Sequence, residues 1–418
     1  MTLMLDSGAE WPDDLDVDEL AANSWRPFPF RQFVLKLHGR CNLRCSYCYI
    51  YEMGDLTWRS RSTPMSVAVL ERACQRIADH VKQHRLGQID VVFHGGEPLL
   101  AGPRLLARAA TTLRALLPAS TELHLSVQTN GVLLDETILE TLLAHQVRVG
   151  LSLDGDRTAH DRHRRYANGR GSYDATTQAL ELLNLPAYQD LFSGLLCVID
   201  LGADPIVTYE TLLSFGPPTV DFLLPHGNWA TPPVGRGIDS DETPYGDWLV
   251  EIFDRWYTAP RREVNVRIFA EIINLVLGGA SRSESVGLSP VALIVVDVDG
   301  SMEQVDTLRS VYHGAAATGM TIFDRSFDDL LGHPSIIARQ IGLAALGETC
   351  RACSVVKVCG GGYYPHRYRP GSGFRNESVY CADLRLLIDH VANRVHQDLD
   401  RLRKRENDSQ LPTVTLGP

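Results

Sequence analysis

The stretch "FVLKLHGRCNLRCSYC", residues 33–48, runs a buried-strand pattern straight into three closely spaced cysteines. Phe33–Leu37 reads as a β-strand, and Cys41, Cys45 and Cys48 follow in the loop with the spacing C-x3-C-x2-C. Three thiolates are too few to close a tetrahedral zinc site and an awkward number for disulfides. They suit three corners of a [4Fe–4S] cube whose fourth iron lacks a protein ligand, and a vacant metal position is where a substrate can coordinate. The competing reading is a zinc site completed by His38.

Outward from this stretch, the strand–helix alternation repeats. Apolar runs at residues 89–93, 122–128, 147–153, 192–199 and 220–224 read as further strands. Between them lie segments of helical period, such as "SVAVLERACQRIADHVKQHR" (66–85), where Leu70, Cys74, Ile77 and Val81 share a face. Cys74 therefore reads as a core residue, and Cys197, inside a strand pattern, likewise. Six parallel strands with helical crossovers predict an α/β fold, a partial (β/α)6 TIM-type barrel two units short of closure. In such barrels the loops after the strands build the active face, which puts the cysteine loop there.

After residue 225 the pattern changes. "PHGNWATPPVGRG" is a Pro/Gly-rich loop, helical segments follow at 244–258 and 267–278, and "ALIVVDVDGSMEQVDTL" reads as a hairpin turning at Asp299-Gly300. Four more cysteines come next, Cys350, Cys353, Cys359 and Cys381, spaced C-x2-C-x5-C-x21-C, enough for a full cube with no vacancy or for a structural zinc. Residues 382–405 read as a charged closing helix. The expected organisation is a tail (1–29), the barrel (30–235), a helical linker region (236–289), a Cys-rich C-terminal domain (290–396) and a C-terminal tail (397–418).

Composition bounds the function. The 418-residue chain is 44% hydrophobic and 22% charged, with 40 basic and 51 acidic residues for a net charge of −11. An acidic balance argues against a nucleic-acid partner. Neither a membrane span nor a signal peptide is legible. These features point to a cytoplasmic protein, where nine cysteines read as metal ligands more readily than as disulfides.

"CNLRCSYCY" (41–49) resembles the hallmark of the radical SAM superfamily, in which such a loop binds a [4Fe–4S] cluster whose open iron chelates S-adenosylmethionine. Further similarities follow at the ends of successive predicted strands: "HGGEP" (94–98), "QTNG" (128–131), "SLDG" (152–155) and then "HDRHR" (160–164). The resemblance implies that Tyr47 lies near the adenine and that Gly95, Gly96 and Glu97 meet the methionine amine. It implies that Asn130, Ser152 and Asp154 line the cofactor site, and that Arg164 meets the methionine carboxylate. The second cysteine set resembles a SPASM domain, whose full pattern carries seven cysteines and two auxiliary clusters. This chain departs from it: Tyr363 and Val305 stand where cysteines are expected. Two [4Fe–4S] clusters are therefore expected, one for S-adenosylmethionine and one auxiliary. Asp306 keeps the place of an aspartate that serves as a base in sulfatase-maturing relatives and is the candidate catalytic residue, with Glu303 a weaker one.

"LKLHGRCNLRCSYCYIYE", "VVFHGGEPLL", "FLLPHGNW" and "VDVDGSMEQVDTL" are similar to the FxsB-like peptide maturases. That resemblance implies a ribosomally made precursor peptide as substrate and a flavodoxin- or ferredoxin-type electron donor. It also implies a carbon–carbon cross-link between an aromatic ring carbon and a nearby β-carbon, a cyclophane, initiated by a 5′-deoxyadenosyl radical. Side-chain oxidation, thioether formation and epimerisation are the alternatives. "YYPHRYRP" (363–370) interleaves basic and aromatic residues as nucleic-acid sites do, but its place between Cys359 and Cys381 fits packing of a cluster loop or a peptide contact.

Overall fold

The computed structural model describes residues 25–61, 63–237 and 240–409, with residues 19, 20 and 23. Most of the expected 1–29 tail and residues 410–418 lie outside the described residues. The six expected strands are β1 (Gln32–His38), β2 (Gln88–Gly95), β3 (Glu122–Thr129), β4 (Val147–Ser152), β5 (Phe192–Val198) and β6 (Thr219–Leu223). Each pairs in parallel with the next. Helices α1 (Val67–His84), α2 (Gly102–Leu116), α3 (Glu136–Ala144), α4 (Arg157–His163), α5 (Tyr173–Leu183) and α6 (Pro205–Ser214) cross between them. This is the expected partial barrel of the α/β class.

Local chemistry explains the crossovers. Ser66 caps α1 by accepting from the Val69 amide, and Arg85 ends it in the left-handed region at φ 49°. The α1 face of Leu70, Ala73, Cys74 and Ile77 is fully buried. Cys197 is buried as well, so both core readings hold.

The C-terminal part is less separate than the sequence pattern implied. Following α7 (Pro244–Tyr257), β7 (Asn265–Val266) and α8 (Arg267–Val276), the hairpin of β8 (Leu293–Val296) and β9 (Ser301–Glu303) joins the barrel sheet. It does so because β8 pairs in parallel with β1. With β10 (Ala317–Thr321) on β9, one ten-stranded sheet runs β10-β9-β8-β1-β2-β3-β4-β5-β6-β7. The hairpin turns at Gly300, φ 87°, whose amide reaches the Asp297 carbonyl at 2.9 Å. Short helices α9 (Phe327–Leu331), α10 (Pro334–Ala338), α11 (Glu348–Arg351) and α12 (Val356–Cys359) lead to α13 (Cys381–Ser409). The expected 396/397 boundary falls inside α13, so no break in structure marks a tail there. Among the described residues no helix is long and apolar enough to cross a membrane.

Candidate active site

The carboxyl ends of β1–β6 open into a cavity of about 470 Å³, within the range of small-molecule and cofactor sites. Cys41, Cys45 and Cys48 line one wall together with Tyr47, Gly95, Gly96, Glu97, Gln128, Asn130, Ser152 and Arg164. His94, His226, Val305 and Tyr363 line it as well. The structure thus brings together the three cysteines with all but one of the residues expected to bind S-adenosylmethionine. The exception is Asp154, which is 2% exposed and absent from the lining.

The cysteine loop is held by its neighbours. The Arg44 and Ser46 amides donate to the carbonyls of Arg165 (2.6 Å) and His163 (3.1 Å), and Asn130 Nδ2 donates to Asn42 Oδ1 (2.8 Å). Gly95 and Gly96 permit close approach of β2 to this loop. A Cβ on Gly95, at φ 151°, would stand 2.4 Å from the His38 carbonyl oxygen, and one on Gly96 would stand 2.5 Å from that of Arg40.

Glu97 accepts three hydrogen bonds from backbone and side-chain donors. Its Oε1 accepts from the Leu99 amide (3.0 Å) and the Thr129 hydroxyl (2.7 Å), and its Oε2 accepts from the Asn130 amide (2.9 Å). Burial lifts its carboxyl above the usual range, against the pull of these bonds. Asp154 works similarly behind the wall: it accepts from Arg164 Nε (2.9 Å), the Val198 amide (3.0 Å) and the Tyr47 hydroxyl. Burial opposes its ionisation, yet Arg164 and His160 outweigh burial and hold it below the usual carboxylate range. Asp154 therefore aims Arg164 and Tyr47 from behind, and the Arg164 guanidinium lies over the Tyr47 ring at 5.6 Å. Ser152 Oγ accepts from Gln128 Nε2 at 3.1 Å.

The donor set fits a cationic iron–sulfur group. Burial pushes the Cys41 thiol up to about 12 and Cys45 up to about 11, so thiolates persist in this wall only against a metal's positive charge. His38 Nδ1 already accepts the Arg40 amide at 3.2 Å. Among the described residues, the donors that converge within single-ion reach are His80, His84 and Asp328, and neither cysteine set.

The second set is also assembled. Cys350 sits in α11, Cys353 just after it, Cys359 ends α12 and Cys381 begins α13. Burial comes first in raising the Cys381 thiol to about 11, followed by the charges of Cys359, Cys350 and Cys353. The loop after Cys359 carries Gly360, Gly361 and Gly362 all at positive φ, and buried Arg367 clamps it by donating to the carbonyls of Gly360 (2.7 Å) and Gly362 (2.6 Å). Within "YYPHRYRP", Arg367 thus packs this glycine loop, while Tyr363 and His366 line the cavity.

At the missing auxiliary positions, the Tyr363 hydroxyl shares a 2.6 Å hydrogen bond with Thr307. Asp306, next to Val305, is 7% exposed and does not itself line the cavity. It receives the Tyr49 hydroxyl at 3.2 Å and lies 3.5 Å from Lys36 Nζ and 3.7 Å from His94 Nδ1. Burial opposes its ionisation, but Lys36, His94 and Arg309 outweigh burial and lower its pKa. Glu303 is occupied by Arg309 (2.7 Å) and Arg61 (2.6 Å), which removes it as a free base. Lys36, Tyr49, His94, Gln128 and His226 were assigned no role from the sequence. The one local signal was a lysine inside the apolar run "FVLKL".

Residues 35–185 match the family model described as the Radical SAM superfamily. Over 361 residues the chain is 26% identical to the serine-type anaerobic sulfatase-maturating enzyme of Klebsiella aerogenes, spanning 84% of each chain. It is 26% identical over 378 residues to the cysteine-type anaerobic sulfatase-maturating enzyme of Clostridium perfringens (strain 13 / Type A), covering 88% of this chain and 97% of that one. The fold is similar to a solved structure described as native anSMEcpe with bound AdoMet and Kp18Cys peptide. The TM-score is 0.75 at 22% identity, over 88% of this chain and 99% of that chain.

Proposed function

We propose that the protein is a radical S-adenosylmethionine enzyme that modifies a peptide. The observation that carries this reading is a single cavity lined both by the three-cysteine loop and by Val305 and Tyr363 of the C-terminal part. The similarity to relatives named as sulfatase-maturating enzymes, and to a solved structure described with a bound peptide, supports a peptide or protein substrate. In this reading Cys41, Cys45 and Cys48 hold one [4Fe–4S] cluster and Cys350, Cys353, Cys359 and Cys381 a second. Glu97, Asn130, Ser152 and Arg164 form the S-adenosylmethionine wall, aimed by Asp154, with Tyr47 beside the adenine. When bound, the reduced cluster and S-adenosylmethionine supply a radical able to take hydrogen from an unactivated carbon.

The chain's own groups do the rest. The barrel walls exclude water from the reacting carbon. Asp306, held ionised chiefly by Lys36, is the terminal proton acceptor. Because it lies behind the wall, the proton reaches it through the Tyr49 hydroxyl, which lines the cavity and bonds Asp306 Oδ2. The finer reading is a cyclophane cross-link in a ribosomally made precursor peptide, with a flavodoxin- or ferredoxin-type protein as electron donor. Its support is that the features most similar to the peptide maturases converge. His226 of the PHG loop stacks edge-on against Tyr49 (4.9 Å) and lies 6.2 Å from Tyr363. Co-expression with the peptide encoded beside the gene tests this: a cross-linked product weighs two hydrogens less, epimerisation leaves the mass unchanged, and no modification of any peptide overturns the reading.

A further inference from the structure

A different group of donors lies outside this cavity. His80 and His84 stand one turn apart on α1, and Asp328 belongs to α9. His80 Nδ1 lies 3.2 Å from Asp328 Oδ1, and His84 Nε2 meets the same oxygen. All three ligand atoms lie within 4.8 Å of one another. A tetrahedral zinc with bonds of about 2.0–2.1 Å holds its ligand atoms roughly 3.3 Å apart, a separation that His80 Nδ1 and Asp328 Oδ1 already have.

A second observation points the same way. His80 is 1% exposed, and its Nδ1 faces Asp328 Oδ1 at 3.2 Å without meeting hydrogen-bond geometry. Buried imidazoles are ordinarily satisfied, and here Phe30, Phe33 and Phe327 wall the ring at 5.8, 5.9 and 6.1 Å. His84 and Asp328 keep 26% and 22% of their side chains exposed, which leaves a side open to solvent for a water ligand. Two imidazoles and a carboxylate within this reach form a donor set suited to Zn2+.

We propose that His80 Nδ1, His84 Nε2 and Asp328 Oδ1 bind Zn2+, with water in the open fourth position, and so fasten α1 to α9. The site reinforces contacts already made across this seam, where Arg72 Nε (3.1 Å) and Arg76 Nε (2.8 Å) of α1 donate to the Ile322 carbonyl. It locks the outer face of the barrel to the C-terminal part that supplies Asp306.

The test uses the full chain carrying its iron–sulfur clusters. Wild type, His84→Ala and Asp328→Ala are equilibrated anaerobically with Zn2+ alone, and zinc is counted after gel filtration. Both substituted residues are partly exposed, and unchanged iron content and circular dichroism confirm the fold. Zinc taken up by cysteines affects all three proteins alike. Wild type is expected to retain one more zinc per chain than either variant, and its Tm to rise with zinc while theirs stay fixed. Equal zinc in all three, or a wild-type Tm indifferent to zinc, overturns the proposal.

Discussion

The Tyr49 hydroxyl donates a 3.2 Å hydrogen bond to Asp306 Oδ2, and of the two residues it is Tyr49 that lines the cavity. Loss of either should therefore block the same step. Asp306→Asn removes the acceptor and Tyr49→Phe removes the route to it. Both variants should still move deuterium from a labelled peptide β-carbon into 5′-deoxyadenosine, yet release modified peptide slowly. For Asp306→Asn the slowing should be on the order of 10²–10⁴. Full product from both variants would reduce Asp306 to a structural carboxylate of the Lys36 cluster.

Glu97→Ala should cost stability as well as cofactor affinity. The substitution strands the Asn130 and Leu99 amides and the Thr129 hydroxyl in a buried wall. Each stranded donor costs about 1–3 kcal/mol. Thermal unfolding of the cluster-loaded variant should shift down by several degrees, and equilibrium dialysis should show weaker S-adenosylmethionine binding. An unchanged Tm would show that the Glu97 bonds hold nothing together.

Iron content follows from the cysteine inventory. With Cys74 and Cys197 in the core, three and four cysteines remain for two cubes, about 8 Fe per chain. Replacing Cys41, Cys45 and Cys48 with Ala should leave about half and abolish cleavage of S-adenosylmethionine. A wild-type content near 12 Fe by ICP analysis would mean that Val305 and Tyr363 do not displace a third cluster.

His160 sets a pH dependence of stability. Its Nδ1 accepts the Asp154 amide at 3.3 Å, so the proton sits on Nε2, 3.0 Å from Ser172 Oγ. Burial holds its pKa down to about 4, against about 6.5 unfolded. The unfolded chain thus binds the proton first. The stabilisation is complete above about pH 6.5 and is lost as pH falls towards 4, at about 1.4 kcal/mol per unit. Urea midpoints across that window should fall less steeply for His160→Asn than for wild type.

The barrel was legible because each strand is a short apolar run and each crossover a clean helical face, as in Leu70–Cys74–Ile77. The cysteine sets were legible because their spacing narrows the chemistry to an iron–sulfur cube or a zinc site. The hairpin's attachment to β1 was not, since parallel pairing of Gln32 with Leu293 across so long a sequence separation leaves no local signature. Nor was the burial of Asp154 and Asp306. A motif places a carboxylate at a strand end, but only packing decides whether it lines the cavity or aims the residues that do. Lys36 sits within an apolar run because Asp297, Glu303 and Asp306 converge on it.

The most direct measurement is a single turnover of the anaerobically reconstituted wild type with S-adenosylmethionine, a reductant and the β-deuterated peptide encoded beside the gene. The expected result is deuterium in 5′-deoxyadenosine together with a modified peptide, two hydrogens lighter if cross-linked. Unlabelled 5′-deoxyadenosine beside an unaltered peptide would contradict it.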